Sequence, residues 1–317
     1  MSIAAVPWDR GLIESERAAT RAAGRGGSWV TALRRVLTLV AQHRMFSIVT
    51  GLVILGGAVV SANFVAAGEL SGRTVVLDPG HAGDEPGASA YGVIERESNL
   101  DIAQRVRTIL EARGAHVVLT RNSEARPRDV PPEATGVTAT FIDLQSRVAI
   151  ANAARADVFV SIHSNSYPDS SVRGGDAWYT SLRPFAADSK RLAALCIEGV
   201  NTALQEKGYP IRAREAMDDA QFVDAAGRGT PMFVLGPERD VSRAELVERG
   251  VNPAVVGIHP DAPSWRTSAT QMPGTLLELL YISNPDDAAL LKDEPTRYAI
   301  ARGIADGIAR FLGAPAS

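Results

Sequence analysis

Short β-branched runs that alternate with longer amphipathic stretches confine most of this chain to an α/β architecture. TVVL at 74–77 reads as a strand stopped by Asp78-Pro79-Gly80, and residues 99–113 read as a helix closed by Gly114. HVVLT at 116–120 is a second strand. A Pro-rich loop over 126–136 follows, then a helix over 143–154 with Leu144, Val148 and Ile150 inward. DVFVSI at 157–162, DAWYT at 176–180, MFVL at 232–235 and GTLLELL at 274–280 supply four more strands. Residues 185–207 form a long helix, and 296–312 a last one with Ile300, Ile304, Ile308 and Leu312 at i, i+4 spacing. The expectation is a mostly parallel six-stranded sheet with helices on both faces. Residues 213–272 are the least regular and read as an excursion at the sheet edge, not a second domain. The 317 residues are 45% hydrophobic and 22% charged with a net charge of −3, which excludes disorder and gives no electrostatic reason to bind nucleic acid.

Three of these strands end in residues of catalytic type. The first runs into Asp78-Pro79-Gly80-His81, the third into Ser161-Ile162-His163-Ser164-Asn165, and the sixth carries Glu278 inside an apolar run. Ligands of open α/β sheets bind outside the carboxyl ends of the strands, so His81 and His163 can converge there despite their separation in sequence. Two imidazoles and a carboxylate make a catalytic zinc site, with Asp84, Glu85, Glu95 and Glu97 as candidates for the third ligand. Of these, Glu95 stands just before the Ser98-Asn99 helix start, where its side chain can point back towards His81. Glu278 is costly to bury without a compensating charge or metal. His43, His116 and His259 have no evident partner, and His259 is the substitute ligand should one of the three fail. The single cysteine, Cys196, excludes an intramolecular disulfide and any cysteine-based zinc site, and its apolar helical context marks it as core.

The pieces VVLDPGHAG (75–83), IERESNL (94–100), VVLTR (117–121), LQSRVAIANAARADVFVSIHSNS (144–166) and GTLLELLYISNPDD (274–287) occur in an order that resembles the zinc-dependent N-acetylmuramoyl-L-alanine amidases of bacterial cell walls, the type 3 amidases. The resemblance covers about residues 73–314. It implies Zn2+ bound by His81, Glu95 and His163, with Glu278 as the catalytic carboxylate. It also implies hydrolysis of the amide between the lactyl group of N-acetylmuramic acid and L-alanine of the stem peptide. Asn165, Arg147 and Asp78 are expected in support: Asn165 near the metal, Arg147 there or in a structural ion pair, and Asp78 or a strand-end carbonyl on the far ring nitrogen of a zinc-bound histidine. The expected substrates are peptidoglycan and muropeptides, and the enzyme is expected to act as a monomer. In some members of the family an inserted helix covers the metal until a protein regulator removes it, a role open to residues 213–272. The competing readings are a catalytically silent amidase-like domain that binds peptidoglycan or regulates another enzyme, and a different cell-wall zinc hydrolase.

Residues 1–44 carry seven Arg against Asp9, Glu14 and Glu16, a net of +4, which leaves the remainder at −7. Residues 45–67 are uncharged and, at 1.5 Å per residue, long enough to cross a bilayer of about 30 Å. The chain then reads as a cytoplasmic arm (1–44), a transmembrane or signal-anchor segment (45–67), a short linker (68–72) and a catalytic domain (73–314) facing the cell envelope outside the cytoplasm. We read the span as an uncleaved anchor; the alternative is secretion after cleavage at the small residues 65–67 or near Ser61 and Ala62. Mass spectrometry of the mature protein distinguishes them: the anchor reading expects an amino terminus before residue 45, whereas a terminus just after residue 62 or 67 shows cleavage.

Overall fold

The computed structural model describes residues 68–127, 130–209, 216–224 and 227–313. The basic arm and the span expected over 45–67 lie outside the described residues; among those described, no helix is long and apolar enough to cross a membrane. In chain order the elements are β1 (Thr74–Pro79), β2 (Ser89–Ala90), β3 (Val93–Ile94), α1 (Glu95–Ala112), β4 (His116–Leu119), α2 (Gly136–Ala154), β5 (Val158–Asn165), β6 (Asp176–Tyr179), α3 (Ala186–Glu206) and β7 (Met217–Asp218). These are followed by β8 (Asp240–Ser242), α4 (Arg243–Glu248), β9 (Ser264–Arg266), β10 (Gly274–Tyr281), α5 (Pro285–Lys292) and α6 (Glu294–Phe311).

Six strands form one sheet in the order β4-β1-β5-β10-β6-β7. The first four are mutually parallel, β6 runs antiparallel to β10, and β7 pairs parallel to β6. Side-chain alternation divides the strands between two cores. Val75 and Leu77 of β1, Val158, Val160 and Ile162 of β5, and Leu277 and Leu279 of β10 pack against α1, α3 and α6. Val76, Phe159 and Leu276 face the other way, against Ala151 of α2 and against Val234, Leu235 and Met272. Further along the second face the same alternation brings up Asp78, Ser161, His163 and Glu278, so apolar residues give way to polar ones at the carboxyl ends of the parallel strands. The β10 ladder slips there. Glu278 is level with His163 but Tyr281 is level with Asn165, so one extra residue is accommodated, and consecutive Leu279 and Leu280 are both fully buried.

Three boundaries differ from the sequence pattern. MFVL at 232–235 is a tight turn, in which the Leu235 and Gly236 amides both donate to the Met232 carbonyl. Its apolar character serves to bury Val234 and Leu235 against the second face, which a four-residue run cannot reveal by periodicity. The sheet edge is instead β7. The first helix begins at Glu95, four residues earlier than the pattern suggests, with Glu95 and Glu97 in its first turn where the helix dipole favours acidic groups. The second begins at Gly136, two turns early, so that Val137 and Thr140 stand on its amino-terminal end.

The irregular segment is part of the same domain. Val241, Leu246, Val251 and Ile258 form a small core that includes Phe141 of α2, and the Thr138 hydroxyl accepts from the Asn252 amide. Cys196 is buried on α3, where burial pushes its thiol up to about 12. Helices α3 and α6 meet backbone to backbone at Gly199 and Gly303: a Cβ on Gly303 would lie 2.4 Å from the Gly199 carbonyl oxygen. Gly303→Ala is therefore expected to destabilise the fold by about 1–3 kcal/mol through overpacking, read as a lower urea midpoint, even though alanine improves the intrinsic helix preference by about 1 kcal/mol.

Candidate metal centre

The turn after β1 is held from two sides by buried guanidiniums. Arg147 donates to the carbonyls of Pro79 (2.6 Å) and His81 (3.0 Å), and Arg121 to those of Pro79 (2.9 Å) and Gly80 (2.8 Å). Arg147 also pairs with Asp78 at 2.7 Å and Asp143 at 3.1 Å, all three side chains being almost wholly buried. Burial, and then the neighbouring Arg147 charge, push Arg121 down to about 10. Within this frame His81 adopts φ 61, a left-handed conformation uncommon for a side chain with a Cβ.

That conformation brings the His81 ring to the second face of the sheet. Its centroid lies 4.9 Å from the His163 ring, with the planes at 72°. Glu95, the first residue of α1, completes the group: its Oε1 is 2.9 Å from His81 Nε2 and 3.1 Å from His163 Nδ1. The carboxylate is fixed in place by the Ser164 amide (3.2 Å) and Asn99 side chain (3.3 Å) on Oε1 and the Ala88 amide (2.9 Å) on Oε2. On the far side of the His81 ring, Nδ1 is hydrogen-bonded to Glu85.

Burial alone would lower the His81 pKa, but the hydrogen bonds to Glu85 and Glu95 raise it to about 9. Against the opposing pull of burial, His163 and His81 hold Glu95 well below the usual carboxylate range. Two imidazoles and one carboxylate offer ligand atoms that all lie within 4.8 Å of one another. Ligands about 2.0–2.1 Å from a tetrahedral zinc sit roughly 3.3 Å apart, so the set fits that ion. The surrounding backbone is fitted to the same group. A Cβ on Gly80 would lie 2.2 Å from His163 Nε2, and one on Gly87 would lie 2.4 Å from Glu95 Oε2.

Glu278 stands beside this cluster, level with His163 on β5 and with Asp176 on β6. Its Oε2 is buried without a hydrogen-bond partner among the described residues. Burial, reinforced by the Glu95 charge, pushes it up to about 8. In front of His81 and His163 opens a cleft of about 600 Å³, walled by Arg126, Leu144 and Phe233 among others.

A family model described as N-acetylmuramoyl-L-alanine amidase, Amidase_3, matches residues 75–310. The chain belongs to this family. N-acetylmuramoyl-L-alanine amidase AmiC of Neisseria meningitidis is 31% identical over 240 residues, which are 75% of this chain and 52% of the relative. The LytC amidase of Bacillus subtilis is 32% identical over 240 residues, 76% of this chain and 36% of the relative. The chain thus spans about half or less of the length of these curated relatives. The structure of the CwlD amidase from Clostridioides difficile, in complex with the GerS lipoprotein, shares the fold with a TM-score of 0.56 at 24% identity. It covers 76% of this chain and 98% of that one.

Within the amidase-family region, His81, Glu95, His163 and Glu278 are brought together; of the supporting residues, Asp78 and Asn165 are placed differently from expectation, and Arg147 takes the structural ion-pair role. Asp78 does not reach either histidine. It is occupied by Arg147, Thr120 and Ser161, because its position in β1 points it along the second face beneath the turn. The carboxylate on the far nitrogen of His81 is Glu85. Asn165 donates to Asp176 and accepts from the Ser166 amide, with no hydrogen bond to the His81 cluster. Arg147 is the structural ion-pair partner and grips the His81 carbonyl. His259 is exposed and paired with Asp261. Residues 232–234 form one wall of the cleft, and no described residue of 213–272 hydrogen-bonds to His81, Glu95 or His163. Asn99 and Arg121 were not singled out by the sequence: an asparagine early in a helix and an arginine after a strand look like surface residues.

The Glu278 carboxyl gives a test of the site's electrostatics. Its pKa in the fold lies above the ordinary 4.5, so its contribution to stability is present below about pH 4.5 and lost as pH rises to about 8. With chelator present, wild type and Glu278→Gln should unfold at similar urea concentrations at pH 4.5. By pH 8 the variant should be the more stable.

Proposed function

We propose that the protein is a zinc-dependent amidase that hydrolyses the bond between the lactyl carbonyl of N-acetylmuramic acid and the L-alanine of the stem peptide. The observation that carries this reading is the convergence of His81, Glu95 and His163 beside Glu278, whose buried Oε2 has no hydrogen-bond partner among the described residues, with both histidines lining a cleft inside the region matched by the amidase family. These three side chains would hold the ion. Bound there, zinc supplies a Lewis acid for the scissile carbonyl and lowers the pKa of water to about 7.

The protein's own groups account for the rest. Glu278 Oε2, with no competing hydrogen bond among the described residues, takes a proton from the attacking water and returns it to the departing alanine nitrogen as the carbon–nitrogen bond breaks. Burial raises this carboxyl above the ordinary carboxylate range, which favours the protonated form that delivers the proton to the leaving nitrogen. Glu85 orients the His81 ring, and Asn99 with the Ala88 and Ser164 amides holds Glu95 with both oxygens committed. Such fixed donors leave little reorganisation for the reaction to drive.

We place the catalytic region outside the cytoplasmic membrane, attached through residues 45–67 or released by their cleavage, where peptidoglycan is accessible. Incubation of the purified full chain with zinc and muropeptides, followed by mass spectrometry, is expected to release intact stem peptides. Cleavage within the stem, or loss of acetate, would point to another cell-wall hydrolase, and no cleavage to a silent domain. Glu278→Gln should reduce turnover by at least about 10²-fold while zinc content stays near that of wild type. Unchanged turnover would remove Glu278 from the mechanism.

A further inference from the structure

The cleft wall contains one cation that the chemistry above does not use. Arg126 lies in the loop between β4 and α2, its side chain only 10% exposed. It borders the same cleft as His81, Glu85 and His163. One end of its guanidinium, Nη2, donates to Asp84. The other, Nη1, is buried with no hydrogen-bond partner among the described residues, and its ion pair with Asp143 Oδ2 is a loose one at 3.8 Å.

Neither acid completes it. Asp143 is committed to Arg147 through both carboxylate oxygens, at 3.1 Å each. Asp84 is 70% exposed and free to turn into water. The side chain lies against the loop that bears His81: a Cβ on Gly83 would come within 3.1 Å of its Nε. By contrast, every guanidinium nitrogen of Arg147 and Arg121, on the inner side of that loop, donates to a carbonyl or carboxylate.

We propose that Arg126 forms a carboxylate subsite for the stem peptide and so makes this protein discriminate by the charge state of the residue after L-alanine. The inference rests on the amidase reading. In a stem whose second residue is D-glutamate linked through its side chain, the α-carboxylate remains free two residues from the scissile amide. Amidation to D-isoglutamine removes that charge while keeping the shape. Arginine recognises a carboxylate through paired, charge-assisted hydrogen bonds, and an amide offers one acceptor oxygen and no charge. A free carboxylate on the third residue is the other source of the same chemistry.

The test is binding, independent of turnover. Stem tetrapeptides beginning L-Ala-D-Glu and L-Ala-D-isoGln, each with a third residue with and without a free side-chain carboxylate, are titrated into the zinc-loaded full chain and followed by calorimetry. Wild type is expected to bind the D-Glu form about tenfold more tightly, and Arg126→Gln to lose that tenfold preference while binding the D-isoGln form as before. Arg126→Lys, which keeps the charge without the fork, should restore part of it. A preference that follows the third-residue carboxylate instead assigns the subsite to that group. Equal effects of Arg126→Gln on all four peptides, or no binding of any to wild type, would overturn the proposal. Hydrolysis of the matching muropeptides in parallel keeps the two readings apart: charge-dependent binding without cleavage would sink the amidase assignment and leave the subsite standing.

Discussion

Three consecutive carbonyls, those of Pro79, Gly80 and His81, are all taken up by two buried guanidiniums, and the rest of the site depends on that arrangement. Burying two positive charges is expensive, and Asp78 and Asp143 offset it by supplying two negative ones at contact distance or nearby. An apolar set of the same volume would cost less. It could not bind carbonyls on a turn, and a turn is what this sheet needs where β1 stops and a ligand must swing sideways. The charged cluster therefore contributes position more than stability, and holds a histidine in a left-handed conformation that open chain would seldom adopt.

The cluster also explains why the carboxylate in the centre can be a first-turn helix residue. Glu95 is held by donors from the loop after β1 and from α1, both close to it in sequence, and from β5, about seventy residues away. Each is rigid for its own reason: a central strand, a helix and a turn gripped by arginine. Held from three sides, the carboxylate lies within reach of both histidines.

Much of this was legible in the sequence. The strand pattern places His81 and His163 at the carboxyl ends of two strands, which the sheet makes neighbours, and Glu278 is conspicuous as a carboxylate in a run of leucines. What periodicity could not convey was which partner each polar group would find. Asp78 looked available to a histidine, yet the parallel register sets it level with Ser161 and under Arg147, which arrives from a helix nearly seventy residues later. Glu85 sat unranked among several loop acids, because its contact with His81 follows from a backbone angle and not from spacing. The early start of α1 was hidden because Ile94 caps it without a side-chain hydrogen bond, leaving no capping residue to mark the boundary. The turn at 232–235 mimicked a strand because burial, not alternation, selected its residues.

The slip in β10 has a consequence for how the sheet can vary. Strict alternation would send Glu278 and Tyr281 to opposite faces, yet the Tyr281 hydroxyl donates to Asp176 at 2.9 Å, the residue level with Glu278. The paired leucines between them act as a phase shift, letting one strand serve the cleft and then anchor the following turn, where Asp287 accepts from the Tyr281 amide. Loss of either leucine would rotate everything downstream by half a repeat. Evolution can therefore exchange side chains along this strand far more readily than it can change its length by one.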